Sequence, residues 1–222
     1  MLRQAVYVAS KLMKQLYIPK YLETSYNEGF TYEDESNNIY RLYSNEIGNI
    51  KISEGSIVAC DPFLYNDDMP FIAKFPLGTF PVQLAVAKIG DDERVAFSRI
   101  KFSDEIPDSW ALAICNGQDI FELSEDEIYG YGVDAGTGAF MDTSGAREFL
   151  SFLTEKENNY EILIEEMEKN YRHTWDWLIW ERNGANVTMF KTGWGDGTYA
   201  TYIGYDKHGS ICRLVTDFNV VG

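Results

Sequence analysis

Three short stretches of the chain gather residues able to do chemistry: CDPF at 60–63, GYGVDAGTGAFMD at 130–142 and TGWGDGTYATYIGYD at 192–206. Each places an aspartate against residues that interrupt regular structure. Asp61 precedes Pro62 at the end of an apolar run, Asp134 closes the run IYGYGV where a glycine loop begins, and Asp196 lies between Gly195 and Gly197. Loops held on a rigid scaffold are where binding and catalytic residues concentrate. Asp61, Asp134 and Asp196 are therefore the candidate catalytic carboxylates, with Gly136, Thr137, Thr192 and Trp194 as ligand-binding neighbours. A carboxylate so placed can serve as a general base or hold a cation that polarises a substrate, which makes hydrolysis the expected reaction. The plainer reading, that Asp and Gly are ordinary turn formers, stands beside it.

Two further residues bear on this site. Arg99, in RVAFSRIKF, shares a strand face with Val95 and Phe97. An inward-facing guanidinium wants a carboxylate, and Asp61, Asp134 and Asp196 are its natural partners. Arg99 is thus either a ligand-binding group or the reason that some of these aspartates are structural. Asp142 sits just before an expected helix start, where the helix dipole favours a carboxylate.

Known motifs narrow the chemistry by exclusion. No GxxxxGK[ST] occurs, nor a GxGxxG between strand and helix, so no nucleotide loop is indicated. DAGTG is similar to the Asp-Gly-Thr phosphate loop of the actin and hexokinase superfamily, which needs two such domains and a much longer chain. Val133-Asp134-Ala135-Gly136-Thr137 resembles the aspartic-protease signature, with alanine where that family has Thr or Ser, and the proton-sharing second aspartate lacks the flanking pattern. A hard cation remains open: Mg²⁺ or Ca²⁺ takes oxygen ligands, and Asp61, Asp134, Asp142 and Asp196 with loop carbonyls are of the right type. With His173 and His208 as the sole histidines, a zinc site and a Ser-His or Cys-His nucleophile have little support. Cys60, Cys115 and Cys212 show no CxxC spacing, and the apolar settings SIVAC and WALAIC read as buried core thiols.

The elements that must position these residues follow from periodicity. Residues 2–17 space Leu2, Val6, Leu12, Met13 and Leu16 as a helix that stops before Pro19. Strand-like runs occupy 38–44, 49–52, 56–60, 79–89, 94–102 and 110–115, with GDDE at 90–93 as a hairpin turn. Thr143 or Ser144 can cap a helix reaching about Lys156, and a second runs through NYEILIEEMEKNYRHTW. Strands return at 186–192, 198–205 and 210–218, the last two joined by the turn DKHG. The expected fold is α+β: a predominantly antiparallel β-sheet with an N-terminal helix and a two-helix insert around residues 143–175. Aromatic residues at 15% favour pleated, half-buried surfaces and support this.

Charge sets the partners. The net charge of −16 argues against nucleic acid, whose phosphates need clustered Lys and Arg. Between 119 and 169, fourteen Asp or Glu stand against three Lys or Arg, a net of −11. This is either a solvated face or a docking surface for a basic protein. Arg3, Lys11 and Lys14 interrupt the N-terminal apolar run, so neither a signal peptide nor a membrane span is expected, and the location is read as cytoplasmic.

The segments CDPF, FPVQLAVAKIGDDERVAFSRIKFSDEIPDSW, GYGVDAGTGAFMD and TGWGDGTYATYIGYDKHGSICRLVTDF together resemble the bacterial domain of unknown function 4241 family. The resemblance runs from about residue 55 to the C-terminus, leaving residues 1–54 as a helix and variable entry segment. It implies that these segments form one domain and brings no activity, cofactor or catalytic residue with it. Two expectations follow. One is an enzyme or small-ligand binder with an aspartate-lined, glycine-rich pocket; the other is an acidic binding module such as a toxin-neutralising immunity protein.

Overall fold

The computed structural model describes residues 17–65, 69–124 and 127–222. The helix expected over 2–17 falls almost wholly on residues outside this set. A short 3-10 turn, Thr24–Tyr26, precedes strands β1 (Thr31–Glu33), β2 (Ile39–Ile52) and β3 (Ile57–Cys60). The hairpin of β4 (Gly78–Ile89) and β5 (Asp92–Lys101) follows, then β6 (Ser109–Leu112), β7 (Tyr131–Val133) and β8 (Thr137–Asp142). Helices α1 (Thr143–Glu155) and α2 (Asn159–Glu168) come next. The chain then returns to β9 (Trp177–Arg182), β10 (Ala185–Lys191), β11 (Gly197–Tyr199), β12 (Thr201–Tyr205) and β13 (Ile211–Asp217).

These strands make a seven-stranded sheet ordered β1-β2-β4-β5-β13-β12-β6, a four-stranded sheet ordered β3-β8-β10-β9, and a ribbon of β7 and β11. Every named pairing is antiparallel. The fold is therefore α+β with β predominant. No helix among the described residues is long and apolar enough to cross a membrane.

The four-stranded sheet is apolar on both faces because it lies between two cores. Ile57, Ala59, Phe140 and Phe190 face the seven-stranded sheet, where Val82, Leu84, Ile100 and Leu214 are also buried. Their sequence neighbours Val58, Cys60, Ala139, Met141 and Met189, and with them Val187, point the other way, toward the helices. This is the period of two of a strand applied to a doubly covered sheet. Phe140 and Phe190 meet edge to face with ring centroids 5.3 Å apart, and burying each ring contributes about 2–3 kcal/mol. Helix α1 supplies Ala146, Phe149 and Leu153, and α2 supplies Leu163 and Met167, at helical spacing.

Asp142, not Thr143 or Ser144, caps α1, as its position before the helix had suggested. It is fully buried. Its carboxylate accepts from Ser53 N and Oγ, Glu54 N, Ser56 N, and Ser144 N and Oγ, at 2.7–3.4 Å. One side chain thus satisfies the helix start and the turn before β3. The second helix ends at Glu168, short of the run read from sequence, and a tight turn at 172–175 follows with His173 at φ 52°.

Both hairpin turns form where turn chemistry placed them: Gly90 (φ 58°) between β4 and β5, and Asp206–Gly209 between β12 and β13, where Asp206 accepts from His208 N and Ser210 N. Two strand assignments change. Runs 38–44 and 49–52 are one strand, β2, bent at a bulge between Glu46 and Gly48. The run 198–205 is two strands in different sheets, β11 and β12, parted at Ala200.

Candidate ligand-binding site

The three aspartate stretches meet. Asp61 leaves the end of β3 buried, with its Oδ1 accepting from Phe63 N at 2.9 Å in a local turn. Its Oδ2 reaches across to the glycine loop and accepts from Asp134 N at 3.0 Å and Ala135 N at 2.8 Å. The loop at 192–196 closes from the other side. Thr192 N donates to Gly136 O at 3.2 Å, and Thr192 Oγ1 and Tyr199 OH both donate to Gly195 O. A Cβ on Gly136 (φ 59°) would stand 3.6 Å from Gly195 Cα, so the loops touch where side chains are missing. Thr137 is buried beside them, its hydroxyl donating to Ala135 O and accepting from Lys191 Nζ.

The carboxylates differ in placement. Asp61 is the inward one, and both of its oxygens hold backbone amides. Asp134 and Asp196 are exposed and flank the Val133–Gly197 pair at the open end of the ribbon. Trp194 is 54% exposed, with the Arg94 guanidinium 5.0 Å above its ring. Among the described residues, no three His, Cys, Asp or Glu side chains converge as a metal set would require.

Arg99 is elsewhere. It sits 8% exposed on the face of the seven-stranded sheet where residues 22–26 pack, its guanidinium 3.7 Å from the Tyr26 ring centroid. It pairs with Glu23 at 3.1 Å and donates to Gln83 Oε1. Glu23 also binds Arg213, so its partner is a glutamate of the entry segment rather than Asp61, Asp134 or Asp196. The acidic segment at 119–169 contains the buried cap Asp142, the pair Glu166–Lys169, and Glu148 and Glu155 bound to Arg182.

Behind the ribbon lies an open pocket of about 400 Å³. Asp61, Cys60, Cys115, Asn116, Gln118 and Tyr131 line it, with Leu64 and Met69 on its rim. A narrower extension of about 40 Å³, reaching Phe71, Tyr129 and Thr201, shares the wall formed by Cys115, Gln118 and Tyr131. The loop after β6 is shaped by Cys115 N donating to Gln118 Oε1 at 2.8 Å and Gln118 N donating back to Cys115 O. Burial pushes the Tyr131 phenol up, so it stays neutral at physiological pH. Cys60 is buried as expected, whereas Cys115 is only half-buried. Of the lining residues, Cys115 reads from sequence as a buried core thiol and Tyr131 lies in the glycine-rich stretch without a role there, while Asn116 and Gln118 lie in no recognisable motif. The one usable signal was negative, a long absence of basic residues around them.

Residues 50–216 match the family described as Protein of unknown function (DUF4241). The chain belongs to this family. No curated protein and no solved structure matches it. The matched span holds all three aspartate stretches and every residue named above as lining the pocket, and it excludes Glu23.

Proposed function

We propose that the protein binds a small organic molecule in the pocket behind the β7–β11 ribbon. The observation that carries this reading is the pocket's composition. A concave site of about 400 Å³ brings polar groups, namely Asp61, Asn116, Gln118 and two thiols, together with a comparable share of apolar surface from Ala59, Leu64, Met69 and the Tyr131 ring. Its walls come from strand ends and from loops pinned by hydrogen bonds, which favours a pre-formed site. The glycine loop and Asp61 act as framework for it. Asp134 and Asp196 stand outside, so the reading is of binding and assigns no hydrolytic step.

A fragment screen followed by amide NMR tests it. Bound fragments should shift Cys115, Gln118, Gly130 and Gly132, and Leu64→Trp, at a rim position already 57% exposed, should weaken them by blocking the mouth. Hits that cluster away from these amides, or that ignore Leu64→Trp, would refute the proposal.

A further inference from the structure

On the reading just given, we infer that the ligand is a small organic cation, an amine or guanidinium rather than a phosphate or carboxylate. The argument joins composition to placement. The pocket walls are built from residues 59–64, 69, 115–118 and 130–132. These fall within two stretches, 52–73 and 102–146, that contain no Lys, Arg or His. The charged group on the described lining is the carboxylate of Asp61.

Anion sites are made from Arg, Lys, metal ions or helix N-termini aimed at the ligand. An anion entering here would shed water against a carboxylate with no counter-charge on the described lining, which is unfavourable. A cation meets the opposite situation. Asp61 offers charge, and the Asn116 amide offers an acceptor oxygen. The extension lined by Phe71, Tyr129 and Tyr131 has room for one or two water-sized groups, the size of an ammonium head. Aromatic walls tolerate cations better than anions. The net charge of −16 biases diffusional encounter in the same direction.

The test uses the full chain and three probes of equal length: cadaverine, 1,5-pentanediol and glutarate, a dication, a neutral diol and a dianion. Each is titrated at low salt while the amides of Cys115, Gln118, Gly130 and Gly132 are followed by NMR. Cadaverine should shift these amides with an affinity roughly fivefold or more above pentanediol, as expected for one charge contact in a pocket open to solvent whose carboxylate already holds backbone amides, and glutarate should not saturate. Leu64→Lys, a change at an exposed rim position, should narrow or invert that preference. If pentanediol or glutarate binds at these amides as well as cadaverine does, the cation inference falls and the pocket stands. Cadaverine shifts spread over α1 and α2 instead would also overturn it, as unspecific binding to acid. If no probe moves these amides while the fragment screen does, the inference alone fails; if neither moves them, the pocket reading fails too.

Discussion

Replacing Asp61 with asparagine separates a framework carboxylate from a reactive one. The Asp61 oxygens accept three backbone amides, Phe63 N on Oδ1 and Asp134 N and Ala135 N on Oδ2. Asparagine has one acceptor oxygen. In its better orientation the oxygen faces Asp134 and Ala135 while its NH₂ confronts the Phe63 amide. One hydrogen bond to a charged group, about 1.5–3 kcal/mol, is then lost and two others are weakened to neutral strength. Water reaching the exposed 134–135 amides recovers part of this, leaving a net loss of about 2–3 kcal/mol. For a chain of 222 residues that corresponds to a melting temperature lower by roughly 5–10 °C. Circular dichroism melts of Asp61→Asn, Asp134→Asn and Asp196→Asn at neutral pH measure it. The two exposed positions should change stability by no more than about 0.5 kcal/mol. Asp61→Asn as stable as the parent chain, or Asp134→Asn as damaging as Asp61→Asn, would refute the framework role.

Three other perturbations follow from the same contacts. Asp142→Ala leaves the amides of Ser53, Glu54, Ser56 and Ser144 without their acceptor in a buried setting, so urea denaturation should show a loss of about 4 kcal/mol or more. Glu23→Ala removes the carboxylate that buried Arg99 and Arg213 share, leaving Arg99 with Gln83 and Arg213 with the Ser103 and Cys212 carbonyls; because those bonds remain and Glu23 itself is 26% exposed, the loss should be about 2–3 kcal/mol rather than the full cost of breaking a buried pair. Asp217 is pushed up to about 7 by burial, above the value of about 3.9 for an unfolded aspartate. The folded state therefore holds an extra proton between these values, and this group's contribution to stability falls as pH rises from about 4 to about 7, by at most about 4 kcal/mol. Asp217→Asn retains an acceptor for Asn219 N, so its gain over the parent chain should be larger at pH 8 than at pH 5 in urea titrations; equal gains would contradict the assignment.

What could be read from sequence was what local chemistry decides. The turns at Gly90 and Gly209 need positive φ beside aspartate, and α1 carries its apolar face at helical spacing within a few residues. The bulge in β2 was not legible, because NEIG has the composition of a turn. Gly48 is instead a place where the Ile179 side chain lies 3.0 Å from where a Cβ would be. The division of TYATYIGY at Ala200 was hidden for a related reason: an alternating run does not reveal that its two halves belong to different sheets. Arg99 shows the limit most directly. Its need for a carboxylate was plain from its strand face, yet its partner Glu23 lies 76 residues away in a segment with no periodic signal.

The acidic composition acquires two distinct meanings once burial is known. Asp61, Asp142 and Glu93 are buried and act as acceptors for groups that would otherwise be unsatisfied. At Glu93, burial alone would raise the carboxyl, but hydrogen bonds from Tyr43, Trp175 and Lys88 outweigh it and hold it below its ordinary value. These carboxylates are part of the architecture, and burial leaves them less screened by salt than surface charges. Exposed acids such as Asp134 and Asp196 are different, since at physiological salt a charge is felt over about 8 Å. Only the charges close to the pocket mouth can therefore choose a ligand, whatever the total of −16. Cation binding there should weaken modestly with salt, as one or two contacts predict, whereas unspecific attraction to the whole acidic surface should collapse steeply. The slope of cadaverine affinity against salt thus distinguishes a site from a surface.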